Sequence, residues 1–378
     1  MIYLDNAATA RPDGAAVEQA SVYLTERFFN PSAKYKESVK LTAELTSARD
    51  TVKAALGSSA GKVIFTASGS EADNTAIFCH TGKGKCVTTE GEHAAVLSSF
   101  AELKRRGVPT DFAKIDAHGK VNVDDFLSKI DRDTAFVSVM HVNNETGAIN
   151  DVNKIAQEVK KIAPDCVFHS DGVQAFCKIE THLDGAIDLY SVSAHKIGAL
   201  KGTGALYVSD KTSVSPLVFG GGQEGGLRSG TENVFGIRCM QFAVEARQKT
   251  LIEQAARLAA VKRRAAEYLE QNDFLIISGE DSSPYILSVS AGPVRGEVLL
   301  HMLEEAGVLV GTGSACSSKN RFSHVVKACG YADGVADGVL RLSFSYQTTE
   351  NEVLTATDKL VECANKLKKI MRVTKWKK

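Results

Sequence analysis

The stretch "VSAHKIGALKGTGALYV", residues 192 to 208, sets Lys196 directly after His195, at the end of an apolar run from Leu189 to Ala194. A lysine at the mouth of a buried strand must find a partner or lose its charge, because desolvation penalises an isolated ammonium. One way to lose the charge is a covalent imine with an aldehyde cofactor. Lys201 sits between Leu200 and Gly202, in a glycine turn that shapes the loop, and takes no catalytic role.

Other strand ends carry groups that could work with such a lysine. In "FTASGSEADN", residues 65 to 74, an apolar strand ends in small residues and opens a helix with Glu71. Gly69 and Ser70 there offer backbone N–H groups and a hydroxyl to an anion. The plainer reading is an ordinary helix start capped by Ser70. "VFHSDGVQAF", residues 167 to 176, ends its strand with Asp171, and Gln174 follows three residues later. An aspartate beside a pyridine nitrogen keeps that nitrogen protonated and makes the ring an electron sink; a helix cap or loop anchor is the plainer reading. Asp171 precedes Lys196 by 25 residues, about one strand-loop-strand excursion, so the two can meet at one sheet edge.

Asn143 and Asn144 in "MHVNNETG" are site groups or turn formers. His93 in "TTEGEHAAV" opens a helix, as a catalyst or a structural hydrogen-bonder. The glycine-rich "GGGQEGGLRSGTEN", residues 220 to 233, is a flexible loop or one that brings Arg228 and Thr231 to an anion, which could be that of another subunit. Arg341 in "VLRLSFS" lies within an apolar strand and needs a carboxylate, in a structural ion pair or from a substrate. "VLVGTGSACSSKN", residues 308 to 320, runs from an apolar strand into small residues around Cys316. Small neighbours leave that sulfur accessible, and Lys319 is a local cation that favours a thiolate.

The elements that must hold these groups are legible as short apolar runs alternating with helical patterns. Strands are expected at Lys62–Ser68, Lys85–Thr89, Thr110–Ile115, Thr134–Val142, Cys166–Ser170, Leu189–Ala194 and Gly204–Ser209. Amphipathic segments such as His93–Arg106 and Val152–Ile162 lie between them. This alternation predicts an α/β layer with a mostly parallel sheet, whose functional residues gather at the carboxyl ends of the strands. A helix over Leu251–Gln271, with Leu251, Ala255, Leu258, Ala265 and Leu269 on one stripe, leads to a smaller α+β part. That part holds strands at Leu275–Ser278 and Tyr285–Ser290 and helices at Glu297–Ala306 and Glu350–Met371. The basic tail "RVTKWKK" is expected to fray.

Length and composition narrow the function classes. A chain of 378 residues suggests about two domains. Basic and acidic residues balance at 45 each, so no global field points to nucleic acid or an anionic membrane. Asp5 and Arg11 interrupt the region where a signal peptide needs an apolar core, and no apolar run approaches about 18 residues. The eight cysteines form no C-x-x-C pair and no Cys/His cluster with zinc spacing, which fits a reducing cytoplasm and no metal. No G-x-G-x-x-G follows a strand, and "GSSAGKV" has Val63 where a P-loop needs Ser or Thr, so the usual NAD and ATP sites are not expected.

Taken together, "YLDNAAT", "NPSA", "FTASGSEADN", "HVNNETG", "SDGVQ", "SAHKIGALKG", "GGGQEGGLRSGTENV" and "GSACSS" resemble, in order, the motifs of cysteine desulfurases of the NifS/IscS kind. Those enzymes belong to the class V aminotransferase group of fold-type I pyridoxal-phosphate enzymes. The resemblance runs from residue 3 to about residue 350, and the spacing around Cys316 resembles the group with a long cysteine loop. It implies a mostly parallel seven-stranded sheet in a large pyridoxal 5'-phosphate domain, residues 15–250. It also implies a small domain built from residues 1–14 and 251–378, which carries the cysteine loop, and a homodimer.

Residue by residue, the resemblance gives Lys196 the cofactor imine and the Cα proton, Asp171 the pyridine nitrogen, and His93 the ring face. Asn144 and Gln174 contact the phenolic oxygen. Gly69, Ser70, Ser193 and His195 hold the phosphate, with Thr231 reaching in from the other subunit. Arg341 takes the substrate carboxylate, with Asn144 beside it. Cys316 carries sulfur from L-cysteine as a persulfide to an acceptor protein, such as an iron–sulfur scaffold or a thiolation protein. Neither nucleic acid nor membrane is an implied partner. The chain departs from the family pattern at Tyr35, Ala199, Leu200, Gly225 and Leu227, positions that bear on the acceptor more than on the cofactor. Alternatives are selenocysteine lyase, cysteine sulfinate desulfination or aminotransfer on the same cofactor, and a silent scaffold for a sulfur carrier. Aminotransfer has no need of Cys316, and a scaffold has no need of Lys196 or Asp171.

Overall fold

The computed structural model describes residues 1–79, 84–313 and 322–371. Among them the strands are, in chain order, β1 (Ile2–Leu4), β2 (Lys62–Thr66), β3 (Lys85–Thr89), β4 (Thr110–Ala113), β5 (Thr134–Ser138) and β6 (Val167–Asp171). They continue with β7 (Leu189–Ser193), β8 (Gly204–Val208), β9 (Leu275–Ile276), β10 (Ile286–Ser290), β11 (Val308–Val310) and β12 (Val339–Ser343).

The expected seven-stranded sheet is present, in the order β2-β8-β7-β6-β5-β3-β4. β8 runs antiparallel to both neighbours, and the pairs from β7 through to β4 are parallel. Both faces are covered, which is why these strands read as continuous apolar runs rather than alternating ones. Val87, Val137, Tyr190 and Ala205 pack into one core, and Phe136, Leu189 and Leu206 into the other. Helices Gly69–Phe78 and Ala94–Arg105 cover the second face with Ala72, Ala76, Val96 and Phe100.

β3 spans the expected Lys85–Thr89, and five of the other sheet strands are shorter than the apolar runs that announce them. β5 ends at Ser138, not Val142, although Val139 and His141 still donate to the carbonyls of His169 and Asp171. β6 is shifted by one residue, so Asp171 closes the strand and belongs to its ladder.

The helix expected at Leu251–Gln271 begins at Val234 and spans 38 residues. Asn233 caps it by accepting from the Gly236 N–H at 3.0 Å. Its first half gives Ile237, Met240 and Val244 to the large core, and its second half gives Leu258, Val261, Ala265 and Leu269 to another core. The start is hidden in the sequence because Val234, Phe235 and Phe242 widen the apolar face and blur its period. Helix Lys36–Ala55, for which no sequence expectation stands, buries a thin stripe of Leu41, Leu45, Ala48, Val52 and Ala55.

Beyond the long helix, β12-β10-β9 form an antiparallel sheet, and β1 lies parallel to β11. The segment after β1 is thereby held against β12, with an Asp5–Ser343 bridge and an Asn6 N–H donated to the Ser343 carbonyl. Among the described residues no helix is long and apolar enough to cross a membrane.

Candidate active site

A cavity of about 350 Å³ opens where the carboxyl ends of β6 and β7 meet the start of helix Gly69–Phe78, the segment after β1, and β12. Lys196, Asp171, Gln174, His93, Asn144, Ser193, His195, Gly69, Ser70 and Arg341 all line it. Thr231 does not; it is exposed and lies outside the cavity of its own chain. Cys316 and Lys319 lie outside the described residues.

Lys196 closes a short 3-10 turn, Ala194–Lys196, that follows β7. Its Nζ donates to the carbonyls of Ala7 at 2.6 Å and Ala8 at 2.8 Å, so the segment after β1 solvates the amine. His195 beside it hydrogen-bonds Thr9 through Nδ1 at 3.1 Å. Burial, then the lysines Lys196, Lys178 and Lys201, push that imidazole down to about 4, so it is neutral at physiological pH.

Helix Gly69–Phe78 aims its N-terminus at the cavity. Its cap is Ser68, whose Oγ accepts from the Glu71 N–H at 3.1 Å, so Ser70 is not the cap and its hydroxyl is left for another partner. A Cβ on Gly69 would stand 2.9 Å from Val173 Cγ2 and 3.2 Å from Ser193 Cβ. This close approach brings the helix start against the end of β7, where its free N–H groups and dipole favour an anion. Arg228 pairs with Glu71 at 2.8 Å, which fixes the glycine-rich loop to the same helix.

Asp171 is buried and accepts from the Val173 N–H at 2.9 Å. Burial raises its carboxyl above the usual range, with His93 and Lys196 opposing. Asp73, one helical turn inside Gly69–Phe78, is also buried and is raised well above the ordinary value by burial and by Asp171. Ligand atoms of Asp73, His93 and Asp171 lie within 4.8 Å of one another. Two desolvated carboxyls this close call for a positive partner entering the cavity. His93 caps helix Ala94–Arg105 by accepting from the Ala95 N–H at 3.1 Å, so the neutral ring carries its proton on Nε2. Burial lowers its proton affinity, with Asp171 opposing.

The two asparagines of "VNNETG" divide their roles. Asn143 is a turn former: it accepts from Glu145 and Thr146 N–H groups and donates to Gly91. Asn144 lines the cavity with its Oδ1 unpartnered among the described residues. Gln174 donates to the Ala7 carbonyl at 2.9 Å. Gly172, before it, can be nothing larger, since a Cβ would fall 1.9 Å from the Tyr190 ring. Arg341 donates to Asp5 at 2.7 Å and to the Asn144 carbonyl at 2.9 Å, and its buried Nε has no hydrogen-bond partner among the described residues. The structural ion pair is therefore present, and the unmatched Nε is turned toward Gly311, where an added Cβ would stand 3.3 Å from it.

Sequence reasoning missed several groups here. Glu145, at the cavity wall, accepts from Ser323, and burial pushes it up to about 7. Glu92 under His93 accepts from Thr89 and Met140, and burial pushes it up to about 8. Asp73, Glu92 and Glu145 each sit in a motif already quoted, but a carboxylate among small residues reads as a solvated one until the tertiary fold buries it. Chemically, the cavity offers an anion seat at a helix start, an acidic pair for a positive nitrogen, an amine, and a guanidinium.

The profile of the aminotransferase class-V family matches residues 2–355. The chain is 34% identical over 382 residues to a cysteine desulfurase of Bradyrhizobium diazoefficiens, covering 99% of this chain and 97% of that protein. It is 35% identical over 381 residues to the cysteine desulfurase IscS of Dictyoglomus turgidum, covering 98% and 96%. A solved NifS-like protein superposes with a TM-score of 0.91 at 32% identity, covering 96% of this chain and 99% of that one. SspA, solved in complex with cysteine, gives 0.79 at 28% identity, covering 92% and 100%. With full-length identity and a shared fold, the chain belongs to the aminotransferase class-V family, among the cysteine desulfurases of the NifS/IscS kind.

Proposed function

We propose that the protein is a cysteine desulfurase that uses pyridoxal 5'-phosphate to convert L-cysteine to L-alanine and keeps the sulfur as a persulfide on Cys316. The observation that carries this is one cavity shared by Lys196, the buried Asp171 and the start of helix Gly69–Phe78. The residues fit the cofactor. The helix start suits a phosphate. The buried, desolvated Asp171 suits a protonated ring nitrogen. The unpartnered Asn144 Oδ1 and the amide of Gln174 suit polar groups on the ring edge.

The bound cofactor supplies a protonated ring that accepts electron density from the substrate Cα. The chain does the rest. Gly69, Ser70, Ser193 and a neutral His195 would hold the phosphate. His93 would pack against the ring, and Asp171 would keep the ring nitrogen protonated. Arg341 orients the substrate carboxylate beside Asn144. Lys196 accepts the Cα proton at Nζ and returns a proton. The Cys316 thiolate attacks the substrate sulfur: an S–S bond forms, the Cβ–S bond breaks, and Cβ gains a proton. Cysteine plus thiol thus balances to alanine plus persulfide with no outside oxidant. Thr231 completes the phosphate seat of a partner subunit in a homodimer, and an acceptor protein takes the sulfur. The division into residues 15–250 and residues 1–14 with 251–378 belongs to the same reading.

The test is alanine released from L-cysteine, with a reductant present, by the native protein and by Cys316→Ala. Alanine from the native protein alone supports the reading. Equal alanine from both removes Cys316 as sulfur carrier. Cofactor bound without alanine from either sinks the desulfurase assignment.

A further inference from the structure

Lys178 has no place in the chemistry above, yet it is buried at the back of the cavity, 5% exposed. It lies four residues after Gln174 on the turns that follow β6. Its Nζ donates to Gln174 Oε1 at 2.6 Å, and among the described residues that is its one hydrogen bond. An ammonium has three donors and no acceptor, so two are left unused.

The contacts fix the Gln174 amide without ambiguity. The Ala7 carbonyl can only accept, so it must face Nε2, and that leaves Oε1 to accept from Lys178. The same Ala7 carbonyl accepts from Lys196 Nζ at 2.6 Å. A continuous chain thus runs from Lys178 through Gln174 and Ala7 to the amine of Lys196. Burial, then repulsion from Lys196 and Arg341, pushes the Lys178 ammonium down to about 7. The charged or titratable groups facing Lys196 and Lys178 are Asp171, His93, His195 and Arg341, the last paired with Asp5.

We propose that Lys178 is a positioning residue for this cavity: it locks Gln174 with Nε2 toward Ala7 and the cavity, and its positive end disfavours protonation at Lys196. The inference rests on the cofactor reading given above. Without Lys178 the amide is free to turn its oxygen inward, against the Ala7 carbonyl, and one cation is lost behind Lys196.

The test is a pH titration of the visible absorption of bound pyridoxal 5'-phosphate in the native protein, Lys178→Met and Lys178→Arg. The midpoint should rise in Lys178→Met by about half to one unit, a three- to tenfold gain in proton affinity. It should stay within about 0.2 of native in Lys178→Arg, where the donor and charge are kept. The melting temperature of the cofactor-free Lys178→Met should be unchanged or higher, since a desolvated ammonium with one partner has been replaced by an apolar chain. An unmoved midpoint in Lys178→Met overturns the inference, as does a lowered melting temperature with no shift. If Lys178→Met fails to fold, Lys178→Gln carries the same expectation and the same outcomes. A native protein with no such absorption overturns the cofactor reading itself, and the inference with it.

Discussion

Two buried lysines, one behind a cavity-lining residue and one remote from the cavity, are held in opposite ways. Lys262 sits on the long helix, 7% exposed, and its Nζ is met by Ser282 Oγ at 2.5 Å, the Ser283 carbonyl at 2.9 Å and the Ser282 carbonyl at 3.4 Å. Three donors find three acceptors, and the helix is tied to the loop before β10. Lys178 is as deeply buried and, among the described residues, has one acceptor. The arginines repeat the contrast. Arg257 spends Nε, Nη1 and Nη2 on Gln254, Thr348 and Tyr346, whereas Arg341 leaves Nε unmatched at the cavity. Lys262 and Arg257, which serve the fold, are saturated by it; Lys178 and Arg341, beside the cavity, are not, among the described residues. An orphan donor alone is no signature, since Arg247 also leaves Nε and Nη1 unmatched, while stacking over Tyr346 and lining no part of the cavity.

The contrast can be broken by mutation. The largest effect is expected at Lys196. Lys196→Ala should reduce alanine formation by roughly 10²–10⁴-fold, the range for loss of a positioned proton-transfer group, and should leave the fold intact. Its acceptors, the carbonyls of Ala7 and Ala8, border the cavity, where water can replace the amine. Substantial turnover by that variant, followed as alanine, would remove Lys196 from the chemistry. Arg341→Gln comes next: the KM for cysteine should rise by about 10- to 100-fold, from the loss of charge-assisted hydrogen bonds worth roughly 1.5–3 kcal/mol. A change in kcat alone would mean that Arg341 serves only Asp5. Lys262→Met should do the reverse of both. It strands the Ser282 and Ser283 acceptors and should cost about 1–3 kcal/mol in urea unfolding, with kcat and KM unchanged. A Lys262 variant of native stability would erase the structural half of the comparison.

The sequence made one side of this contrast readable and hid the other. Asp171 and Lys196 were legible because each follows an apolar run, and a parallel sheet gathers such ends on one edge, whereas Ser193 entered only through the family resemblance. Lys178 and Lys262 were not, because a lysine in "QAFCKIE" or "LAAVKRRAA" reads as a solvated charge. Nothing local says that Gln174 or Ser282, brought close by turns, will cover it. Asp5 and Arg341 lie 336 positions apart, and their pairing follows from the alignment of β1, β11 and β12. The cap at Ser68 was lost for a smaller reason: two serines flank Gly69, and only the backbone shows which accepts from Glu71.

The smallest predicted effect is in the pH dependence of stability, and it tests whether Lys262 is as desolvated as its contacts imply. Burial pushes its ammonium from the ordinary 10.5 down to about 8. Below that value both folded and unfolded chains hold the proton, and the group adds no slope. Between about 8 and 10.5 the unfolded chain keeps a proton that the folded chain has shed, so stability rises with pH. The acids Glu145 and Glu92 act with opposite sign in a lower window. Their folded values lie near 7 and 8, above the ordinary 4.5, so their contribution is full below 4.5 and is lost as pH rises through those values. Above about 8, Lys178, with a folded value near 7, adds a rise of the same sign, while buried thiols such as Cys166 and Cys177, pushed up to about 12, oppose it, so Lys262 is isolated by difference. The gap in urea-unfolding stability between the native protein and Lys262→Met should change by about 1 kcal/mol over the pH unit above 8 in favour of the native protein, and the same gap should be seen in a Glu145→Gln background. If the gap stays constant across that unit, the amine is hydrated in the folded state, and three close acceptors are not enough to call a buried cation structural.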